Sequence, residues 1–208
     1  MSAELFDDVD AGPRSKRAAI LRAAVATFGE FGYEATKWAL VADRVGIGQT
    51  ALYHYFESKA QCLLTIMRLE LLRSHRVFLE VTPPDVPAPE ALRAALRVAF
   101  DVSEHEVLQM RILQSNISLL ATPRESAREE EERQAARRLV HEIEMSWTGL
   151  LERGMAAGDF PRRDAHTLAQ MVLGLVVSVW RWYRPGQRLT LEEVSDFATG
   201  CVMRMVEQ

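Results

Sequence analysis

The stretch from Thr36 to Lys59 constrains this chain more than any other, because it holds two short apolar-faced segments around a two-glycine turn signal. Trp38, Val41, Ala42 and Val45 recur at spacings of three and four, which places them on one face of a helix. Gly46 stands where that helix must stop, since glycine enters the left-handed conformation at little cost. Leu52, Tyr53 and Phe56 then give a second short helix a face to pack. Two short helices crossing through a glycine turn form a helix-turn-helix, whose second helix enters the DNA major groove.

The rest of the chain reads as all-α. It shows no strand alternation, no internal repeat and no low-complexity tract, and its apolar periodicity predicts about nine helices. The first spans about 13–31, and the helix-turn-helix pair follows. A fourth begins at Ser58, where Ser58-Lys59-Ala60-Gln61 has the form of a capping box, and runs to about Glu80. Pro83, Pro84, Pro87 and Pro89 mark a loop over about 82–89. A fifth helix is expected over about 90–103 and a sixth over about 106–120. Thr122-Pro123-Arg124-Glu125 is a start signal for a long seventh helix, ending near Gly154 or Gly158. An eighth runs from about Asp164 to Tyr183, and a ninth, capped at Thr190, ends near Val206. The charged run Glu129–Glu132 with Arg133, Arg137 and Arg138 reads as a solvated face.

At 208 residues, 48% of them hydrophobic, the chain has enough apolar mass for one or two domains. Cys62 and Cys201 lie far apart in apolar helical patterns, without zinc-type spacing. His54, His75, His105, His141 and His166 show no metal-ligand spacing, and no phosphate-cradling glycine loop or nucleophile elbow is present. The expectation is therefore no catalytic residue, no metal, no cofactor and no enzyme. No basic stretch leading into an apolar one opens the chain, and the apolar run Met171–Trp180 is far short of the roughly 20 residues of a membrane span. A cytoplasmic protein without membrane contact is expected. The net charge of −4 is unevenly spread. Glu4, Asp7, Asp8 and Asp10 crowd the first ten residues, whereas residues 11–60 carry seven Lys and Arg against four Asp and Glu. Local cations near phosphates, not total charge, govern DNA affinity.

Ala-Leu-Tyr-His-Tyr-Phe-Glu-Ser-Lys, residues 51–59, preceded by Val-Ala-Asp-Arg-Val-Gly-Ile, closely resembles the amino-terminal domain of tetracycline-repressor-type (TetR) transcription regulators. Arg17 to Tyr33, with Ile20, Leu21, Ala24, Val25, Phe28 and Phe31, resembles that family's first helix, so the likeness covers about residues 14–70. It implies a three-helix DNA-binding domain at 13–57 and a helical ligand-binding and dimerisation domain at 58–208, while the acidic charges ahead of them read as a disordered, solvated tail at 1–12. The partner it implies is double-stranded operator DNA. Tyr53, His54 and Lys59 would meet backbone phosphates, and Thr36 would offer a hydroxyl and an amide. Gln49, Thr50 and Ala51 are the candidates for base contact, because glutamine pairs with adenine and threonine or alanine touches a thymine methyl. The chain departs from the family pattern at Gly48, where a capping serine is usual, and at Gln49, where lysine is common; Lys37 and Arg44 are candidates to compensate.

One short recognition helix reads few base pairs, so a homodimer spanning two half-sites is expected on physical grounds too. Leu168, Val172, Leu175, Val179 and Trp182 on the eighth helix, with Val194, Phe197 and Cys201 on the ninth, are the candidate interface. The family's usual dimer joins two such helices per chain in a four-helix bundle; the alternative is that part of this surface packs inside its own chain. Phe100, Met110, Leu113, Gln114, Met145, Trp147 and Met171 are candidates to line a cavity for a small hydrophobic effector, methionine suiting irregular apolar ligands. Residues 179–186, Val-Trp-Arg-Trp-Tyr-Arg-Pro-Gly, resemble the carboxy-terminal region of fatty-acid and steroid breakdown regulators in this family. That second resemblance implies an acyl-CoA effector, with Arg181 or Arg184 near the CoA phosphates. The reading is a repressor released by its effector. A regulator that activates or answers to a partner protein, and a helical interaction module that binds no DNA, stay open.

Overall fold

The computed structural model describes residues 13–207, apart from the side chains of Pro13, Arg14, Ser15 and His105. The acidic tail expected at 1–12 lies outside the described residues. Ten helices appear among them: α1 Pro13–Phe31, α2 Trp38–Val45, α3 Gln49–Tyr55, α4 Lys59–Val81, α5 Ala88–Phe100, α6 Glu104–Ser115, α7 Ser118–Ala121, α8 Ala127–Ala157, α9 Ala165–Trp182 and α10 Leu191–Glu207. No strand occurs among the described residues, and none of these helices is long and apolar enough to cross a membrane.

Two helix boundaries differ from the sequence expectation. The expected sixth helix divides into α6 and α7 at Asn116, whose side-chain amide donates to the Ile112 carbonyl at 2.8 Å while its backbone amide closes a tighter bond to Leu113 at 3.2 Å. Asparagine thus competes with the helix for its own carbonyls. The long helix does not start at Thr122-Pro123. It starts four residues later, where the Ser126 hydroxyl accepts from the Glu129 amide at 3.3 Å. The Glu129 and Glu130 carboxylates reach back to the Arg124 guanidinium and amide at 2.7 and 2.9 Å, so residues 122–126 wrap over the helix start. The other two caps act as their sequences imply. Ser58 Oγ accepts from the Gln61 amide at 2.9 Å, and Thr190 and Glu193 exchange hydrogen bonds at 2.7 and 3.2 Å.

By compactness the chain forms two units, Met1–Leu71 with Leu108–Arg138, and Leu72–Val107 with Leu139–Gln208. The boundary read from sequence at 57/58 therefore falls inside the first unit. That unit has a core of Ile20, Leu21, Phe28, Leu52, Phe56, Leu63 and Ile66, all buried. Removing such side chains from water at roughly 25 cal/mol per Å² of apolar surface is what holds short helices like α2 and α3, which would not persist alone. In the second unit α5 packs on α10, and two aromatic pairs fill the interior: Phe78 with Trp147 at 4.9 Å between ring centres, and Phe100 with Trp180 at 5.7 Å. Gly154 lets α8 lie against the Phe160 ring, since a side chain there would collide with it.

Candidate nucleic-acid interface

The recognition helix is built from both ends. Past the end of α2, Gly46 takes φ 72° and ψ 41°. Its amide donates to Asp43 at 3.1 Å and the Ile47 amide donates to Ala42 at 3.0 Å, the paired bonds of a Schellman stop. Two residues later Gly48 is the N-cap of α3, extended and without a side-chain cap. The first bond of α3 is the Leu52 amide on the Gly48 carbonyl at 3.1 Å, so the preceding amides sit at the open end of the helix. At the other end Arg17 donates to the Tyr55 carbonyl at 3.2 Å and lies 4.3 Å over the Phe56 ring. Burial lowers the Arg17 pKa, and Glu132, 3.8 Å away, opposes that shift. The guanidinium thereby anchors the end of α3 to α1.

This frame turns α3 so that Leu52 and Phe56 are fully buried while Gln49, Thr50, Tyr53 and His54 face outward, Tyr53 at 45% exposure. Ala51 is half-buried at the margin, and Lys37 and Gly48, the N-caps of α2 and α3, are exposed. The outward set combines an amide, hydroxyls, an imidazole and an ammonium, the groups that meet base edges and phosphates.

Three candidates are placed differently from expectation. Thr36 is buried: its hydroxyl donates to the Gly32 carbonyl at 2.7 Å and its amide to the same carbonyl at 3.2 Å. Both donors assigned to phosphate are used inside the fold. The Lys59 ammonium donates to three carbonyls, of Tyr33 at 2.5 Å, Glu34 at 3.1 Å and Thr36 at 3.1 Å, and sits 4.4 Å from the centre of the Tyr33 ring. Its three N–H groups are spent on the turn after α1. Burial pushes the Tyr33 phenol up to about 12, with Glu34 adding to the shift, so this ring stays neutral beneath the ammonium. Arg44 is exposed but engaged, donating to Glu30 at 3.0 Å and to the Thr27 hydroxyl at 3.2 Å. The sequence reading missed Arg17, Glu30 and Tyr33. Each acts across a separation of 14 to 38 residues, which no periodicity reports.

The start of α8 holds a polar network on the same unit. Ser58 donates to Glu129 at 2.5 Å, Ser126 donates to Glu57, and Arg68 pairs with Glu132 at 2.6 Å. Arg133 grips Glu130 through two bonds at 2.6 and 2.7 Å and donates to the Leu120 carbonyl at 2.9 Å. Hydrogen bonds from Arg133, the Arg124 amide and Gln134 hold the Glu130 carboxylate well below its usual range. The run expected as a solvated face is thus partly an internal brace, with Glu129 and Arg133 buried. Gln109 and Glu70, both nearly fully buried, share a bond at 2.9 Å.

In the second unit the candidate interface splits. Leu168, Val172, Val179 and Val194 are buried within the single chain, so they cannot form an outer surface. Leu175 and Cys201 are half-buried. Trp182 at 50% and Phe197 at 71% are exposed, and they are joined by Met171 and Val177. Among the effector candidates, Phe100 and Trp147 belong to the aromatic pairs of the core and Leu113 is buried, while Met110 and Gln114 are half-buried. Met145 and Met171 are more than half exposed, which corrects their placement in an enclosed cavity. Trp182, Tyr183, Gln187, Arg188 and Leu189 surround a surface hollow of 410 Å³. Arg184 folds back on the Tyr183 and Arg181 carbonyls at 2.9 and 3.3 Å, whereas Arg181 is exposed.

A family model described as "Bacterial regulatory proteins, tetR family" matches residues 20–66, and one described as "Tetracyclin repressor-like, C-terminal domain" matches residues 85–206. The chain is 29% identical over 193 residues to the HTH-type transcriptional repressor KstR2 of Mycobacterium tuberculosis, covering 92% of each protein. The solved structure of the ketosteroid transcriptional regulator KstR2 of that organism shares the fold, with a TM-score of 0.76 at 24% identity over 96% of this chain and 99% of the other. So does the structure of AibR in complex with isovaleryl coenzyme A and operator DNA, with a TM-score of 0.67 at 24% identity over 89% and 97%.

Proposed function

This chain belongs to the tetR family of bacterial regulatory proteins, and we propose on that premise that it is a dimeric repressor released from its operator by an acyl-CoA thioester. One observation carries the DNA half: Leu52 of α3 and Phe56 at its C-cap are buried, leaving Gln49, Thr50, Tyr53 and His54 outward. Gln49 and Thr50, at the helix start, take base edges in the major groove. Tyr53, His54 and Lys37 take phosphates, and Arg44 joins them when DNA outcompetes Glu30. The functional division is 13–57 for DNA and 58–208 for effector and dimer.

Two copies place two recognition helices about one duplex turn apart, roughly 34–36 Å. The exposed apolar side chains Met171, Val177, Trp182 and Phe197 form the dimer face. Two relatives support the effector: KstR2 is a ketosteroid transcriptional regulator, and AibR was crystallised with isovaleryl coenzyme A and operator DNA. It places the work of the protein in the cytoplasm, where chromosome and CoA thioesters meet. An effector changes DNA affinity only through its unequal affinity for the DNA-competent and DNA-incompetent states.

The test is fluorescence anisotropy with DNA from the protein's own upstream region, at two salt concentrations, with and without a panel of acyl-CoAs. Salt-sensitive selective binding lost with one thioester is the expected result. Selective binding indifferent to every thioester overturns the effector. Binding with no sequence preference on any upstream or genomic fragment overturns the repressor.

A further inference from the structure

We propose that Lys59 is a positioning residue for DNA reading and makes no phosphate contact. Its ammonium has three N–H groups, and three carbonyls of one turn take them, at 2.5, 3.1 and 3.1 Å. The Tyr33 ring closes a further side at 4.4 Å, where the ring face attracts the cation. A phosphate would have to displace at least one of these bonds from a half-buried group. The turn it holds, Tyr33–Thr36, ends one residue before Lys37, the N-cap of α2. Thr36 is locked to Gly32 beside it through both its hydroxyl and its amide. Lys59 itself opens α4. One side chain therefore ties the start of α4 to the start of α2, and α2 packs on α3. Loosening this tie tilts α2 and α3 together and moves Gln49 and Thr50 off their bases, while the phosphate-facing charges remain.

The assignment rests on the DNA-binding reading and is tested in two arms. The chain holds three lysines, Lys16, Lys37 and Lys59, so amine acetylation of the full-length wild type, mapped by peptide mass, resolves each. Lys59 is expected to react slowly without DNA and no more slowly with it, whereas Lys37 reacts fast until operator DNA is added. Fast modification of Lys59 in the free protein, slowed by DNA, overturns the proposal. This arm needs no variant, and its DNA-free half stands even if no operator is found.

The second arm compares Lys59→Gln and Lys37→Gln for operator and random DNA across salt. A phosphate contact contributes a slope of about −0.9 in log affinity against log salt and acts on both DNAs alike. Lys37→Gln should show that loss. Lys59→Gln should keep the wild-type slope, at a temperature where its circular dichroism is native, and should lower operator affinity about tenfold more than random-DNA affinity, a loss of base reading. Equal weakening on both DNAs with a reduced slope, or wild-type affinity and selectivity, overturns it.

Discussion

The α2–α3 pair and the α9–α10 pair both turn some large side chains outward, yet the sequence pattern orients the first far better than the second. In α3, seven residues long, burial divides the side chains: Leu52 inside, with Phe56 just past the helix end, and Gln49, Thr50, Tyr53 and His54 outside. In α9, apolar side chains occupy nearly the whole circumference. Val172 and Val179 face the interior of the chain while Met171, Val177 and Trp182, chemically no different, face out. A narrow stripe reports its own direction; a helix apolar all round does not. The lesson is that amphipathicity locates a face only when the helix has a polar side to contrast with it.

The contrast breaks most sharply at Phe197, the most exposed large apolar residue described. Phe197→Glu is expected to weaken the dimer about 100-fold or more, as loss of an interface anchor of at least about 2 kcal/mol plus a buried charge would. Sedimentation equilibrium reads it. Val194→Ala, one turn away but buried, should instead lower the chain's own stability by about 1–3 kcal/mol and leave the dimer constant in place. The reverse pattern would mean that α10 is turned the other way.

Next in size is the outward face of α3. Tyr53→Ala with His54→Ala should lower operator affinity about 100-fold, two hydrogen bonds to charged phosphate at about 1.5 kcal/mol apiece, with secondary structure and dimer unchanged. Anisotropy titration beside sedimentation checks both halves. A smaller effect is expected at Gly46→Ala. There is space for the methyl group, but φ 72° is strained for alanine, so denaturant unfolding should show a loss of about 1–2 kcal/mol. Smallest is Gly48→Ser, which supplies the missing N-cap oxygen to α3 in an unobstructed position. It should stabilise by a few tenths of a kcal/mol in the same assay.

Most of the helices were legible because their signals are local. Ser58, Thr190 and Asp164 each sit within four residues of the amide they cap. The failures have equally physical sources. Thr122-Pro123 is a good start signal, but Ser126 with Glu129 and Glu130 is a better one, since it also satisfies Arg124. Within the candidate site, the packing of Leu52 and Phe56 follows from spacing, whereas Tyr53, grouped with them, is 45% exposed, and Thr36 and Lys59 hydrogen-bond inside the fold. Their hydroxyl and ammonium had unsuspected acceptors on the turn after α1, 23 to 26 residues from Lys59 in sequence. Met145 and Met171 differ for another reason: apolar character alone does not imply burial, and both side chains are more than half exposed.

The residues alone determined the helical class, the helix-turn-helix and its glycine stop, because each depends on neighbours within one or two turns; the DNA-facing set on α3 comes from the family resemblance, and spacing places Tyr53 on the packing face although it is exposed. Tertiary structure alone decided what each cation touches: Lys37 is exposed, Arg44 is shared with Glu30, Arg17 lies over Phe56, and Lys59 is enclosed by three carbonyls. It alone also divided the apolar surface of α9 and α10 between buried and exposed positions. A charge or a methyl group carries no mark of its destination. That is set by which acceptor or apolar neighbour the distant chain brings within about 3–4 Å.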